Sequence, residues 1–398
     1  MTQTAALRLV IAAGGTGGHL YPGIAVARRF AARYPGTTVL FVGHRGGLEE
    51  HLLPREGFHV SLVTVRALKG RSRLAQAQAL GVLGLGTLQA MRLLWRVRPH
   101  LVIGAGGYVM GPVVLAATLL RVPRVILEQN VVPGLTVRAL ARYAQRVFTS
   151  FPDSARYLPG RPVEYTGTPV REEICQVGTT EPRQADGSCS AGDGRLHLLV
   201  FGGSQGAHRI NQAMLQAAPW LAVQQERLCL VHQTGEADYA EVAQAYAQAG
   251  LQAEVQPFLH DMAERYRWAD LVLCRAGAST LAELTACGKP AILVPYPYAA
   301  DDHQRHNALA LQRQGAAQVI LDADLTGARL YEAVEPLLWK PELLRQQAAH
   351  SRRLGRPQAA DAIVTTCLHL LGRATAVTPS PSGKGCALRR HSRARGQG

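Results

Sequence analysis

Lysine is nearly missing: the 398 residues hold only four, so arginine carries almost all the base of a chain with net charge +15. A compositional bias in the coding sequence produces such an excess without any function. Charge therefore favours an anionic partner without choosing among nucleic acid, a phosphorylated substrate and a membrane face. The seven cysteines are scattered, odd in number and never spaced C-x-x-C, which argues against a disulfide framework or a zinc site and for a reducing compartment. Aromatics make up only 6% and do not interleave with the basic residues, which counts against single-stranded nucleic acid. No apolar run reaches the roughly 18 residues of a membrane span. The opening run, Leu7 to Ala13, passes into glycines and reads as a buried strand instead of a signal-peptide core.

What is present is a two-domain α/β pattern. The length exceeds one ordinary core, and 47% hydrophobic with 18% charged residues suits a folded chain. Apolar runs such as LRLVI, TVLFV, HLVIG, RVILE, LHLLVF, LCLVH and DLVLC alternate with helical stretches, as in parallel sheets covered on both faces. A polar segment, Gln176 to Arg195, reads as a linker, and LRLVIAAGGTGGH before it is echoed by LHLLVFGGSQGAH after it. Two similar open halves then face each other, with a ligand cleft beyond the carboxyl ends of their strands. The tail from 372 to 398 carries six basic residues and no acid, and disorder is expected there.

Three glycine-rich turns follow strands: GGTGG from Gly14, GAGGYVMGP from Gly104 and GGSQG from Gly202. The first is not a dinucleotide fingerprint, because Leu20 stands where the third glycine belongs and no acid ends the second strand. Neither Gly-Lys pair has Walker spacing. Any one of these turns alone reads as a tight connection. Together, with Thr16 and Ser204 as donors, they read as backbone cradles for a diphosphate or a sugar.

GGTGGHLYPG, GGYVMGP, Glu128-Gln129-Asn130, TPVR at 168–171, GGSQGA, RAGASTLAE and DDHQRHNA, in that order, resemble the MurG family of peptidoglycan glycosyltransferases, in glycosyltransferase family 28. The likeness runs from about Leu7 to Leu371. It implies a GT-B fold of two Rossmann-like domains, 1–170 for the acceptor and membrane side and 196–355 for UDP-GlcNAc, with part of the linker at 171–195 and a helix at 357–371 crossing back. The implied reaction is inverting transfer of N-acetylglucosamine from UDP-GlcNAc to the C4 hydroxyl of MurNAc in lipid I, giving lipid II. The implied setting is cell-wall synthesis, with cell shape and division dependent on it, at the cytoplasmic face of the inner membrane, in a possible cell-wall synthesis complex, without cofactor, metal or nucleic acid. Alternatives are another GT-B enzyme acting on a lipid or small aglycone, or a non-catalytic sugar-nucleotide-binding protein.

By the same resemblance, Ala278, Ser279, Thr280, Leu281 and Ala282 with Gly277 meet the donor diphosphate at a helix start. Arg171 adds charge there, Glu283 takes the ribose hydroxyls, Leu259 meets uracil through its backbone, and Gln304 and Asn130 contact the donor. Thr16, Gly17, Gly18 and Ser204 belong to the substrate-binding turns, and Gly106, Gly107 and Tyr108 to the acceptor loop. His19 is the leading general base, because imidazole titrates near neutrality, and Glu128 is its rival. Met110 and Thr168 depart from the family's usual serine and asparagine; backbone contacts are expected to survive both changes, with acceptor handling at the second loop left open at Met110. Asp322-Ala323-Asp324 is formally a D-x-D but reads as a surface turn. The stretch 67–99 combines Val82, Leu83, Leu85, Leu88, Met91, Leu94 and Trp95 with flanking arginines. It reads mostly as a core helix, partly exposed for an anionic membrane near Leu80 to Leu85.

Overall fold

A computed structural model describes residues 6–65, 73–178, 194–203 and 206–373, with the backbone alone for 73–80. Ser204, most of the linker and the tail from 374 lie outside the described residues. Among the described residues, thirteen strands form two sheets. The first holds β1 (Arg8–Ala13), β2 (Thr38–Gly43), β3 (His59–Leu62), β4 (Leu101–Gly106), β5 (Arg124–Glu128), β6 (Arg146–Thr149) and β7 (Val163–Tyr165). The second holds β8 (Leu196–Phe201), β9 (Leu228–Gln233), β10 (Glu254–Gln256), β11 (Leu271–Cys274), β12 (Ala291–Leu293) and β13 (Ala317–Val319). Their orders are 3-2-1-4-5-6-7 and 10-9-8-11-12-13, and every pairing is parallel. The architecture is the α/β, two-sheet GT-B arrangement.

The central strands are buried on both faces because helices cover both, so they read as continuous apolar runs instead of alternating ones. From β1, Leu9 and Ile11 enter one core with Ile24 and Phe30 of the helix Gly17–Arg33, while Val10 and Ala12 enter the core under Arg73–Val97 and Met110–Leu119. The last helix, Ala359–Leu370, packs back on the first half. Its Ile363, Val364, Cys367 and Leu368 join the first core, and Asp361 accepts from Arg29 Nε at 2.6 Å.

Local differences from the sequence reading have physical causes. The first helix takes in the glycine turn itself, beginning at Gly17, so Gly17, Gly18 and His19 form its opening turn. Pro22, the sixth residue, has no N–H to give to the Gly18 carbonyl, which accepts from Ser279 Oγ instead. Edge strands β3 and β7 are too short and polar to stand out by pattern. A helix, Glu172–Val177, occupies the beginning of the expected linker.

Candidate active site

β1 ends at Ala13, where its register with β4 shifts, and the chain turns through Gly14 and Gly15 into the first helix. Gly15 has φ +91°, and a Cβ on Gly14 would meet Glu49 Oε1 at 2.6 Å. That carboxylate, fully buried, accepts from Gly15 N–H at 3.2 Å and from His44 N–H at 2.9 Å. Glu49 therefore shapes the turn, and nothing in its place within LEE, at the start of the helix Glu49–Arg55, marked it in the sequence. The N–H groups of Gly17 and Gly18 open the helix and have no intrahelical partner by position, which is the setting in which helix ends hold anions.

His19 lies one residue further, half-buried, with Nδ1 3.2 Å from the Gly14 carbonyl. Because a carbonyl only accepts, Nδ1 carries the proton and Nε2 keeps its lone pair. Among the hydrogen bonds of the described residues none involves Nε2. Burial lowers the imidazole below its ordinary pKa, with the Gly14 bond opposing, so the neutral base is favoured. The second glycine turn explains its own composition here: Gly106 has φ +119°, and a Cβ on it would strike the His19 ring. Gly107, φ +77°, would strike the Gly14 carbonyl. These glycines let two turns of the first half close on each other. Tyr108 is half exposed beside them. Met110 is buried among Val114, Ile126 and Val147, where its side chain fills the space above Gly104.

Glu128 ends β5 at 3% exposure. Its Oε1 accepts from Asn130 N–H at 2.8 Å and Nδ2 at 3.2 Å, and its Oε2 from Gly134 N–H at 3.2 Å. Burial pushes the carboxyl up to about 7 against these donors. Asn130 Oδ1 in turn accepts from Asn307 Nδ2 at 3.0 Å. Thr168 is buried beside the same wall, its hydroxyl 2.5 Å from Ser150 Oγ, and Ser150 N–H donates to the Glu128 carbonyl at 3.0 Å.

From the second half, β11 leads through Arg275 and Ala276 to Gly277, the N-cap of the helix Ala278–Cys287. Ala278, Ser279 and Thr280 form its first turn, and Ser279 Oγ donates across the cleft to the Gly18 carbonyl at 2.9 Å. Leu281 points the other way, into the core, leaving its side chain off the cleft; its N–H donates to the Gly277 carbonyl. Ala282 is partly buried against the same cluster. Glu283, one turn on, is no solvated charge: it accepts from Arg171 Nη2 at 3.2 Å and from Tyr266 Oη at 3.0 Å, and burial raises its pKa. Arg171 stacks on the Tyr21 ring at 4.7 Å, and its buried Nε has no acceptor among the described residues.

Gly203, with φ +106°, accepts at its carbonyl from Gln233 Nε2 at 2.7 Å, and Gln233 Oε1 accepts from Leu259 N–H at 3.3 Å. Gln233 thus ties the third glycine turn to the Leu259 loop, a bridge the sequence reading missed. Gln304 opens the helix His303–Arg313 behind Asp301 and Asp302, both at φ 51°, a left-handed conformation costing about 1–3 kcal/mol per residue. Its Oε1 accepts from Tyr296 N–H at 3.0 Å, which leaves its amide N–H groups for a ligand. The Asp322–Asp324 turn is not simply at the surface, as expected. Asp322 is largely buried in an ion pair with Arg275, whose guanidinium also reaches the carbonyls of Val294 and Pro295. Among the described residues no group of three His, Cys, Asp or Glu side chains is arranged to hold a metal ion.

The structure thus brings His19, the Gly17–Gly18 amides and the Ala278–Thr280 turn to one cleft, with Glu128, Asn130 and the Arg171–Glu283 pair in its walls. A family model described as glycosyltransferase family 28 N-terminal domain matches residues 9–149, and one described as glycosyltransferase family 28 C-terminal domain matches 197–363. The UDP-N-acetylglucosamine--N-acetylmuramyl-(pentapeptide) pyrophosphoryl-undecaprenol N-acetylglucosamine transferase of Geotalea uraniireducens is 48% identical over 90% of this chain and 97% of its own. The Geobacter sulfurreducens protein of the same name is 46% identical over 90% and 97%. Among solved structures, Acinetobacter baumannii MurG superposes with a TM-score of 0.71 at 32% identity, covering 90% of this chain and 98% of that one. A UDP-GlcNAc 2-epimerase from Neisseria meningitidis, at 14% identity and TM-score 0.63 over 92% and 100%, shares the fold alone. The chain belongs to glycosyltransferase family 28, within the MurG group of N-acetylglucosamine transferases.

Proposed function

We propose that this enzyme transfers N-acetylglucosamine from UDP-GlcNAc to the C4 hydroxyl of MurNAc in lipid I, forming lipid II for peptidoglycan, and that the transfer occurs in the cleft between the two sheets. The acceptor oxygen forms its bond to the sugar's anomeric carbon from the face opposite the leaving group, while the bond from that carbon to the UDP oxygen breaks. The hydroxyl proton passes to His19 Nε2, and the electron pair leaves with UDP. The observation that carries the reading is the meeting of two helix N-termini, with Ser279 Oγ donating to the Gly18 carbonyl. One helix start then faces the departing diphosphate and the other the diphosphate of the acceptor. A helix end contributes about 0.3–2 kcal/mol to such charge, and a preorganised donor commonly a factor of about 10² to 10³ in rate.

Arg171 supplies a fixed positive charge through its free Nε–H, and Glu283 holds that guanidinium while keeping lone pairs for the ribose hydroxyls. Gln304 offers its amide N–H groups to the sugar, and Leu259 lies by the uracil position with Gln233 fixing its loop. Gly106, Gly107 and Tyr108 wall the acceptor side. Glu128, with both oxygens held by loop donors, orders the acceptor wall, and His19 takes the proton. Incubation with labelled UDP-GlcNAc and a short-chain lipid I analogue tests the whole reading; it predicts a β-1,4-linked disaccharide lipid, and no product would reject it.

The membrane face follows from the helix Arg73–Val97. Leu88 and Trp95 stand 64% and 67% exposed, with Leu85 half exposed and Arg92, Arg96 and Arg98 among them, while Ala90 and Leu94 on the other side are buried. Of the stretch expected from sequence, the side chain of Leu80 lies outside the described residues; exposure extends past Leu85 to Leu88 and Trp95, because the far side of the helix packs on Met110–Leu119. No helix among the described residues is long and apolar enough to cross a membrane. An apolar stripe flanked by arginines instead suits peripheral docking on an anionic leaflet at the cytoplasmic face, which brings the cleft to its lipid-linked acceptor.

A further inference from the structure

Asn307 lies three residues after Gln304 in the helix His303–Arg313, belongs to the second half, and is fully buried against the first. Its orientation is decided by a backbone group. Val131 N–H donates at 2.9 Å to one atom of the Asn307 amide, which must therefore be the oxygen. Nδ2 then faces Asn130 at 3.0 Å, so the Asn130 atom there must be its oxygen, and Asn130 Nδ2 is turned toward Glu128 Oε1 at 3.2 Å. One unambiguous donor thus sets two side-chain amides and the carboxylate beyond them. With Asn307 removed, the Asn130 oxygen loses its donor, and only the 3.2 Å bond from Asn130 Nδ2 to Glu128 Oε1 restrains the amide.

We propose that Asn307 is a positioning residue supplied by the donor half, which completes the acceptor wall at Asn130 and Glu128 only when the two halves are closed. Because Gln304 is on the same helix, docking of the donor sugar there and ordering of the acceptor wall become parts of one movement. The proposal rests on the cleft being the transfer site.

The test uses the full chain with UDP-GlcNAc and the short-chain lipid I analogue. Asn307→Ala deletes the bridge, and near-isosteric Asn307→Asp keeps the acceptor for Val131 N–H while deleting the donor to Asn130. Each is expected to lower kcat about tenfold or more, with KM for UDP-GlcNAc within about twofold, and the Asn130→Ala/Asn307→Ala pair should be no slower than Asn130→Ala alone. Calorimetric binding of UDP, unchanged, identifies folded variants, and Asn307→Asp carries the test should Asn307→Ala fail to fold. Additive losses in the pair, or a raised KM with unchanged kcat, would overturn the relay. A His19→Ala enzyme with full kcat would instead overturn the assignment of the base while leaving the relay standing.

Discussion

At the scale of single residues, burial pushes two ionisable groups in this cleft toward neutrality from opposite directions. It lowers His19 and raises Glu128, because desolvation disfavours whichever form is charged. The two candidate bases are thereby separable by pH. If His19 takes the proton, kcat/KM falls on acidification through a limb below the ordinary imidazole value of about 6.5, whereas a Glu128 base would place that limb near 7. His19→Ala should lower kcat by about 10² to 10⁴ with little change in donor affinity, read by steady-state kinetics. Glu283→Ala should mainly raise KM for UDP-GlcNAc, since it also frees Arg171. Glu128 has a second consequence, in stability. Its folded pKa lies above the ordinary carboxyl value of 4.5, so the folded state holds the proton more tightly and stability from this group falls as pH rises from about 4.5 through about 7. The full difference is on the order of 3 kcal/mol. Urea titrations at pH 5 and pH 8 should show a smaller loss in Glu128→Gln than in the wild type; equal losses would remove the assignment.

At the scale of elements, the glycine turns were legible and their partners were not. GGTGG and GGYVMGP stand out because few turns need so many bare residues in succession. That Gly106 is bare for the sake of the His19 ring depends on two turns 87 residues apart meeting, which no local pattern encodes. Glu49, Gln233 and Asn307 escaped notice for the same reason: each is an ordinary polar residue until a distant backbone group points at it. Met110 sits at the glycine turn yet packs inward, an orientation its neighbours in sequence do not reveal. The helix Arg73–Val97 makes its own prediction. Leu88→Asp or Trp95→Glu should weaken sedimentation with anionic vesicles by about tenfold or more, since an apolar side chain buried at an interface is worth about 1.5–3 kcal/mol. Both should leave UDP binding intact, and binding insensitive to these changes and to salt would exclude this face.

At the scale of the whole molecule, the two sheets are held by contacts across the cleft and by the last helix returning to the first. Ile363 and Leu368 are buried in a core otherwise built from the N-terminal half. Ile363→Ala should cost about 2–5 kcal/mol, and thermal unfolding should show it in the N-terminal half even though the change lies near the chain's other end. An effect confined to the second half would contradict this packing. The alternation of apolar runs with helical stretches was enough to read two parallel α/β halves, because strands buried on both faces must be apolar throughout. The ordered motifs were enough to indicate a family, because each glycine turn includes positive-φ positions, Gly15, Gly107 and Gly203 among them, that show in the sequence as glycine even though the groups they make room for do not. What the sequence could not determine was which groups face one another across the cleft. The Arg171–Glu283 pair and the Asn307–Asn130–Glu128 relay join residues 112 and 177 positions apart, and only the packing of distant parts of the chain selects those partners.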